Sequence, residues 1–500
     1  MSNRTPRPAR SLVLFASVFM AAGAWASGLQ GELRTLIASR KLGEARVGVC
    51  LMDARTHEVL ASHHADEAFI PASNMKLLTS GAAMLVLGDD FSFRTELVLD
   101  GDRLVVKGSG DPALGDPEVL SRSDSKLTVD EVLASLAGAV SKAGVRQLSE
   151  IVIDDRVFDR EYYHPNWNID HATHSYGAQI GGINFHANVL AVFPRPAQGG
   201  GPPLFDTQPK AWAAHVDSGK ARTVGKGNNS AWLIREGAGN QFTMRGDVRT
   251  ASTSPIEVTI TAPPVWFGDL LVSSLSSSGV AVNGRTRLIE PAEREIKGRV
   301  IAVVTTPIDE VLHRCNTDSA NLYAEALLKR IAHKVTGAPG SWREGAAVLR
   351  MSIGEELGPD AAAETVVADG SGLARENRVT PATMARWLDR IASRPFGDAF
   401  VDSLAAPGEG TLDKRFRGVK LGSEVRGKSG YIKGVRCLSG YVSDPETGDR
   451  LVYSVLVNDL PLGGYEKQHH EAKALHEDIV LMLDRVLTRR RENAAARVGG

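Results

Sequence analysis

Hydrophobic positions along the chain follow two periods, and the changes between them mark out its elements. Leu29 to Arg40 has the spacing of an amphipathic helix. Arg46 to Asp53 and Glu58 to His64 alternate as strands, joined by a polar turn at Ala54 to His57. Ile70-Pro71-Ala72-Ser73-Asn74-Met75-Lys76-Leu77-Leu78 opens an apolar run that lasts to Leu87. Within it Met75, Leu78, Ala82 and Leu85 recur at helical spacing, which predicts a buried helix entered after Pro71 and ending near Gly88. The pattern shifts after Asp89. Phe93 to Leu99 and Leu104 to Lys107 alternate about the turn Asp100-Gly101-Asp102. A loop at Gly108 to Pro112, a helix over Leu127 to Ala143 and a strand over Glu150 to Ile153 follow. Asp159 to Asn188 is rich in Tyr, Trp, His and Asn with little periodicity, which suits a loop lining a surface or cleft. Gly199-Gly200-Gly201-Pro202-Pro203 breaks the chain. Short alternating pieces (Lys220 to Val224, Ser230 to Arg235, Gln241 to Val248) predict a small β-rich insertion. Ile256 to Thr261, a helix over Trp266 to Ser278, and Val280 to Val282 restore mixed character.

A further section starts near Arg299, with a strand over Val300 to Thr305. Pro307 to Ala332 is helical with a break at Asn316, and Trp342 to Gly354 is a helix. Thr380-Pro381 supplies a cap and first-turn proline to a helix running to Ala392. Gly427 to Lys433, Cys437 to Asp444 and Leu451 to Asn458 are strands, and His470 to Arg485 is a closing helix. The two strands before Ser73 and the three near the C-terminus are the parts of one antiparallel sheet, with helices on both faces. The fold class is therefore mixed α/β (α+β). Residues 27–88 and 300–487 make one discontinuous domain. Into it are inserted an α/β domain (89–195 and 255–299) and the small β-rich piece (196–254), with a flexible tail over 488–500.

Composition adds compartment and exclusions. Of 500 residues, 43% are hydrophobic and 23% charged, with a formal net charge of −1, so nothing calls for nucleic acid. Arg4, Arg7 and Arg10 precede the apolar run Leu12 to Ala24, and Ala24-Trp25-Ala26 has the form of a cleavage site. Residues 1–26 read as a secretory signal peptide cleaved near Ala26, which sends the protein to the periplasm; the run is short for a membrane span. The exported chain has no later spanning segment, which leaves room for peripheral contact with a membrane surface. Cys50, Cys315 and Cys437 are an odd count without metal-ligand spacing. Buried thiols are favoured, and one disulfide pair is left open.

Three stretches carry candidate chemistry. Ser73 and Lys76 share one helical face, one turn apart. Burial lowers a lysine's pKa and makes it a base, and a hydroxyl beside it is an activated nucleophile. Alone, the pair reads equally as a capping serine and a snorkelling lysine. Ser319 and Asn321 lie in Asn316-Thr317-Asp318-Ser319-Ala320-Asn321, a loop or first turn that could point both into a cleft. Arg426-Gly427-Lys428-Ser429-Gly430-Tyr431 is a strand in which Lys428 adds positive charge and Gly430 lets another backbone or ligand approach. His164, His171, His174 and His186 with Asp170 lack zinc spacing and read as an exposed polar loop. His469-His470 reads as a solvated helix start. No metal site and no cofactor are called for.

In this order Ser-x-x-Lys, Ser-x-Asn and Lys-Ser/Thr-Gly match the motifs of the penicillin-recognising serine enzymes. More specifically, Pro71 to Lys76, Val106 to Pro112, Asp318 to Glu325, Asp369-Gly370-Ser371-Gly372-Leu373 with Arg375, Gly410-Thr411-Leu412 and Leu438-Ser439-Gly440-Tyr441 resemble the D-alanyl-D-alanine carboxypeptidase/endopeptidase family, the low-molecular-mass class C penicillin-binding proteins. The likeness runs from about residue 30 to residue 487. Ser73 and Ser319 are 246 positions apart, room for the family's two extra domains. The resemblance implies a penicillin-binding/β-lactamase-like transpeptidase domain that acts on peptidoglycan stem peptides and cross-links, with β-lactam antibiotics as inhibitors. It implies Ser73 as nucleophile and Lys76 as its base. Ser319 would relay a proton, and Asn321 would hold the substrate amide. Lys428 and Ser429 would bind the terminal carboxylate, with the N–H groups of Ser73 and Tyr431 as oxyanion hole. Asp170 and Arg375 would contact a diamino acid's amine and carboxylate. Three departures stand out: Ser429 replaces threonine, Lys433 replaces a neutral polar residue, and the segment Trp167, Asp170, Tyr176, Ala178 is one residue longer between Asp170 and Tyr176. A β-lactamase and a non-catalytic peptidoglycan-binding protein on the same fold are the alternatives.

Overall fold

The computed structural model describes residues 28–461 and 465–498, so the signal peptide read at residues 1–26 lies outside the described residues. The chain divides into two compact units. A terminal unit holds residues up to 74 together with 356–366 and 378 onward, and a central unit holds 75–355 and 367–377.

The terminal unit is built on one antiparallel five-stranded sheet, in the order Glu424–Ile432, Val435–Ser443, Arg450–Asn458, Arg46–Asp53, Val59–His63. Those are the five segments expected to pair, with Cys50 opposite Ser454 and Lys428 opposite Ser439. Side chains alternate across each strand, so each face has its own partner. Leu438, Val442, Leu451, Tyr453, Val455 and Val457 are buried with Ala472, Leu475, Ile479 and Leu483 of the C-terminal helix Tyr465–Val498. On the other face lies helix Pro381–Ala392, started by Thr380 and Pro381 as expected, to which Tyr441 donates a hydrogen bond at Leu388 O (2.9 Å). The residues opposed across the sheet include all-buried β-branched and aromatic side chains, which suits a pleated surface covered on both sides.

The C-terminal helix is longer than expected. The tail from 488 does not fray: the helix continues to Val498. Arg490 pairs at 2.7 Å with buried Asp53, and Arg491 lies 3.4 Å from buried Asp444. An Ala/Arg/Glu-rich tail has high helix propensity, and the two arginines fasten it to the sheet.

The central unit contains a mixed five-stranded sheet in the order Thr286–Leu288, Glu150–Asp154, Arg103–Gly108, Ser92–Asp100, Arg299–Pro307. The expected hairpin forms its middle. The strand read at Val300 pairs with Val98, so it belongs to this sheet and not to the terminal one. Helices Val129–Lys142 and Pro263–Ser277 pack their apolar faces into the same core as Leu97, Leu104 and Ile151. Val216–Thr223, Phe242–Val248 and Trp232–Arg235 form the small β-rich piece. Val189–Arg195 is a strand that periodicity missed, because Val189 to Val192 is buried throughout and does not alternate. Helix Met75–Leu87 packs in this unit against Ile308–Asn316 and Asn321–Thr336, the two helices either side of the predicted break.

The histidine-rich loop departs from the exposed reading. His164 and His186 are buried, and each ring bonds a backbone carbonyl, Ala368 O and Val189 O. His469 is also buried and accepts from Arg436 Nε at 2.8 Å, so it is no solvated helix start. The three cysteines are buried and no disulfide joins them.

Removing Arg490 should leave Asp53 buried without its cation. Arg490→Gln is expected to lower the unfolding free energy by about 1–3 kcal/mol, while exposed Arg489→Gln changes it by less than about 0.5 kcal/mol. Urea titration of both variants checks this; equal, small changes would mean that the helix end is not fastened there.

Candidate active site

The Ser73 turn and the edge strand Glu424–Ile432 both belong to the terminal unit. Ser73 sits in a 3₁₀ turn, Ala72–Asn74, which runs directly into helix Met75–Leu87. Its entry is clamped. Asn458 accepts from Ile70 N (2.7 Å) and donates to Ile70 O (3.0 Å). Ala72 holds φ at +46°, the left-handed region that costs a residue with a Cβ. Asn74 is fully buried and donates to Ser439 Oγ at 2.7 Å, which bonds on to Ser454 Oγ at 3.1 Å. These two serines lie on the face away from the C-terminal helix, so the sheet carries a polar seam under the turn.

Gly430 stands where its strand passes the Ser73 turn. A Cβ there would lie 2.9 Å from Pro71 O and 3.0 Å from Asn74 Oδ1. The strand therefore passes the Ser73 turn at a distance only glycine allows. By strand alternation Lys428 shares the face of Gly430, while Ser429 and Tyr431 point to the other. Lys428 is fully buried, and its Nζ donates to Ser429 O at 2.9 Å. Tyr431 is half-exposed under the guanidinium of Arg436, 3.7 Å from its ring centroid.

The candidate base belongs to the central unit. Lys76 is fully buried, and its Nζ donates to Asn321 Oδ1 at 2.6 Å and to Ser371 O at 2.9 Å. Burial drives its pKa down to about 8, partly opposed by the nearby Cys315, Glu325 and Asp369. These two acceptors fix where the amine sits.

Asn321 opens helix Asn321–Thr336 and its Nδ2 donates to Tyr176 O at 2.8 Å. It therefore links the lysine to the loop from the inserted section. Ser319, two residues earlier, is half-buried with φ at +64°. Arg314 shapes this bend: its backbone O accepts from Ala320 N (3.1 Å) and its guanidinium meets Asp318 (2.9 Å).

Two buried carboxylates build the third wall. Glu325 accepts from Gly370 N (3.0 Å), Ser371 N (2.8 Å) and Trp342 Nε1 (2.8 Å), which aims the Ser371 carbonyl that Lys76 uses. Burial, with the charge of Asp369, pushes its pKa up to about 7. Asp369 accepts from Gly372 N, Ala374 N and Asn377 Nδ2, and from Trp167 Nε1 at 2.8 Å. Trp167 comes from the segment that carries Asp170, and Arg375 follows Ala374. Both Asp170 and Arg375 are exposed, on segments that this one carboxylate ties together.

Sequence reading missed Asp116, a buried residue of the inserted section. Its carboxylate accepts from Tyr323 OH (2.5 Å) and from Arg314 Nη2 (3.0 Å), so it holds both the Ser319 bend and the following helix. The available signal was Asp116-Pro117, which marks only a helix start. Glu325 and Asp369 were visible as motif letters, and their roles came only with the hydrogen bonds. Among the described residues no cluster of His, Cys, Asp or Glu suits a metal ion.

Comparison with known proteins bears on the family and the fold. The model of the D-Ala-D-Ala carboxypeptidase 3 (S13) family matches residues 29–485. The D-alanyl-D-alanine carboxypeptidase of Actinomadura sp. (strain R39) is 32% identical over 458 residues, 88% of this chain and 82% of that protein. The D-alanyl-D-alanine carboxypeptidase DacB of Haemophilus influenzae is 23% identical over 463 residues, 87% of this chain and 90% of that protein. The crystal structure of penicillin binding protein 4 (dacB) from Haemophilus influenzae superposes with a TM-score of 0.69 at 20% identity, covering 91% of this chain and 99% of that one. The same protein complexed with a β-lactam gives 0.65 at 19%, covering 90% and 99%.

If the Lys76 amine is the base, acylation of Ser73 by benzylpenicillin needs its neutral form. The second-order acylation rate should fall about tenfold per pH unit below a folded pKa of about 8 and level off above it. Lys76→Arg should lose at least about 10²-fold at every pH, since a guanidinium keeps its proton. A flat wild-type profile from pH 6 to 10, or an active arginine variant, would rule out the base role.

Proposed function

The chain belongs to the D-Ala-D-Ala carboxypeptidase 3 (S13) family, and on that footing we propose that it is a serine-type D-Ala-D-Ala carboxypeptidase and DD-endopeptidase working through an acyl-enzyme on Ser73. The observation that carries this reading is Lys76: a fully buried amine with a depressed pKa, its hydrogens given to Asn321 and Ser371, three residues after the serine in one continuous turn and helix.

Ser73 attacks the carbonyl of the penultimate D-alanine and Lys76 takes its proton. The N–H groups of Ser73 and Tyr431 receive the oxyanion, where one donor is worth about 10²–10³ in rate. Ser319 passes a proton to the leaving amine. Asn321 keeps one Nδ2 hydrogen and one Oδ1 lone pair beyond its bonds to Lys76 and Tyr176, enough to hold a substrate amide. Lys428 and Ser429 serve the terminal carboxylate, with serine keeping the hydroxyl of the family's threonine. Water then releases the acyl group. Asp170 and Arg375 offer opposite charges to the zwitterionic end of a diamino-acid side chain. The substrates are peptidoglycan stems and their cross-links in the periplasm, reached by export behind residues 1–26, and β-lactams act as inhibitors.

Intact-mass measurement tests the reading. Benzylpenicillin should add covalently to the wild type and leave Ser73→Ala unmodified. No adduct would support the non-catalytic alternative, and an adduct that turns over within seconds would support a β-lactamase.

Substrate selection is separable from acylation. Asp170→Ala and Arg375→Ala should each cut kcat/KM on stems with a zwitterionic diamino acid by about tenfold or more, while penicillin acylation stays within about threefold. Equal losses on both would assign these residues to the architecture alone.

A further inference from the structure

On the C-terminal-helix side of the edge strand lies a cavity of about 290 Å³, whose lining enters the reaction above at Ser429 alone. Ser429 lines it, together with Arg436 from the neighbouring strand, Arg415, and Lys473 and His476 from the C-terminal helix. Its rim at Gly410, Asp413 and Lys414 is exposed, so solutes can reach it.

The charges in it do not balance. Arg415 is paired with Glu477 at 2.5 Å. Among the described residues Arg436 and Lys473 make no ion pair with a carboxylate; Arg436 spends its Nε on neutral His469 and its face on the Tyr431 ring. Lys414, Arg415, Arg436 and Lys473 thus face only Asp413 and Glu477, the latter acting on Lys473 at longer range, and positive charge in excess of carboxylates half out of water is costly unless something anionic visits. His476 is 1% exposed, and neither of its ring nitrogens has a hydrogen-bond partner. The buried hydroxyl of Thr411 also lacks one. Native interiors rarely leave several such groups unmatched around one space. Burial first, and then the charges of Arg415, Arg436 and Lys473, keep His476 well below its ordinary pKa.

We propose that this cavity is an anion subsite, which takes a carboxylate- or phosphate-sized oxyanion between Arg436, Lys473, Thr411 and His476. Two sources offer that chemistry. One is the carboxylate of the substrate's terminal residue, whose docking to Ser429 places it at the cavity wall. The other is a free oxyanion. The first source rests on the peptidase reading; the subsite itself does not.

Inorganic phosphate is the probe, titrated into the mature chain at constant ionic strength against chloride, with Tm as readout. Wild type should be stabilised saturably, and Arg436→Gln and Lys473→Gln should each weaken the apparent affinity about tenfold. The same proteins are assayed on a D-Ala-D-Ala peptide and on its C-terminal amide. Loss confined to the free-acid peptide, with phosphate competing against it, assigns the subsite to the substrate carboxylate. Unchanged kinetics with lost phosphate stabilisation assigns it to a free oxyanion. No saturable stabilisation of wild type, or the same stabilisation in both variants, overturns the proposal. Benzylpenicillin adducts on the same samples keep the two readings apart. Adduct formation shows that a variant is folded and that the serine chemistry stands even when phosphate binding fails. An absent wild-type adduct sinks the serine reading while the phosphate arm still decides the subsite.

Discussion

The buried amine of Lys76 is the constraint around which the central unit is arranged. An ammonium or amine at zero exposure needs acceptors, and an unmet one costs several kcal/mol. The chain meets that need with Asn321 Oδ1 and Ser371 O. Each acceptor must itself be held. Glu325 holds the Ser371 backbone by its N–H groups, Tyr176 O receives the other end of Asn321, and Asp116 with Arg314 sets the bend before it. The inserted section is therefore part of what fixes the lysine. Asp116 and Tyr176 both come from it, and each is one hydrogen bond away from a motif residue.

The terminal unit answers a different constraint, the close passage of a strand and a turn. Asn458 grips both backbone groups of Ile70, Ala72 takes a left-handed conformation, and Gly430 leaves no room for a Cβ. A backbone held in an unfavourable region by surrounding bonds is a rigid one, and positioning is what a nucleophile in an acyl transfer needs. The motif glycine and the motif serine are thus two halves of one steric requirement, although they are more than three hundred residues apart in sequence.

What the sequence disclosed follows from the range of the interactions involved. Alternation and caps gave the five strands of the terminal sheet and the helix that Thr380 begins, because these depend on neighbours in the chain. Ser73, Lys76, Ser319, Asn321 and Lys428 were legible as spaced motifs. Asp116, the burial of His164 and His469, and the fastening of Arg490 to Asp53 were not, since each depends on a partner far away in sequence. The strand at Val189 was hidden for a different reason: burial on both sides erases the period that marks a strand. Val300 was recognised as a strand, and its pairing with Val98 came only with the structure, as periodicity gives an element's type and not its pairing.

The electrostatics of the two units run in opposite directions, and the contrast bears on mechanism. Complete burial alone can depress a lysine by about 3–5 pKa units. Lys76 falls from 10.5 to about 8, because Cys315, Glu325 and Asp369 hold it up. Glu325 in turn is raised to about 7 by burial and by Asp369, so near neutrality this carboxylate and this amine are both close to their titration points. A base does its work best when its pKa lies near the ambient pH. Glu325 and Asp369 oppose the effect of burial on the Lys76 amine. Around Ser429 the imbalance is the reverse, with Lys414, Arg415, Arg436 and Lys473 outnumbering the carboxylates Asp413 and Glu477. Negative charge behind a buried amine raises its proton affinity, and an excess of positive charge beside a hydroxyl favours an anion there, so the two proposals above rest on opposite signs of the same electrostatic argument.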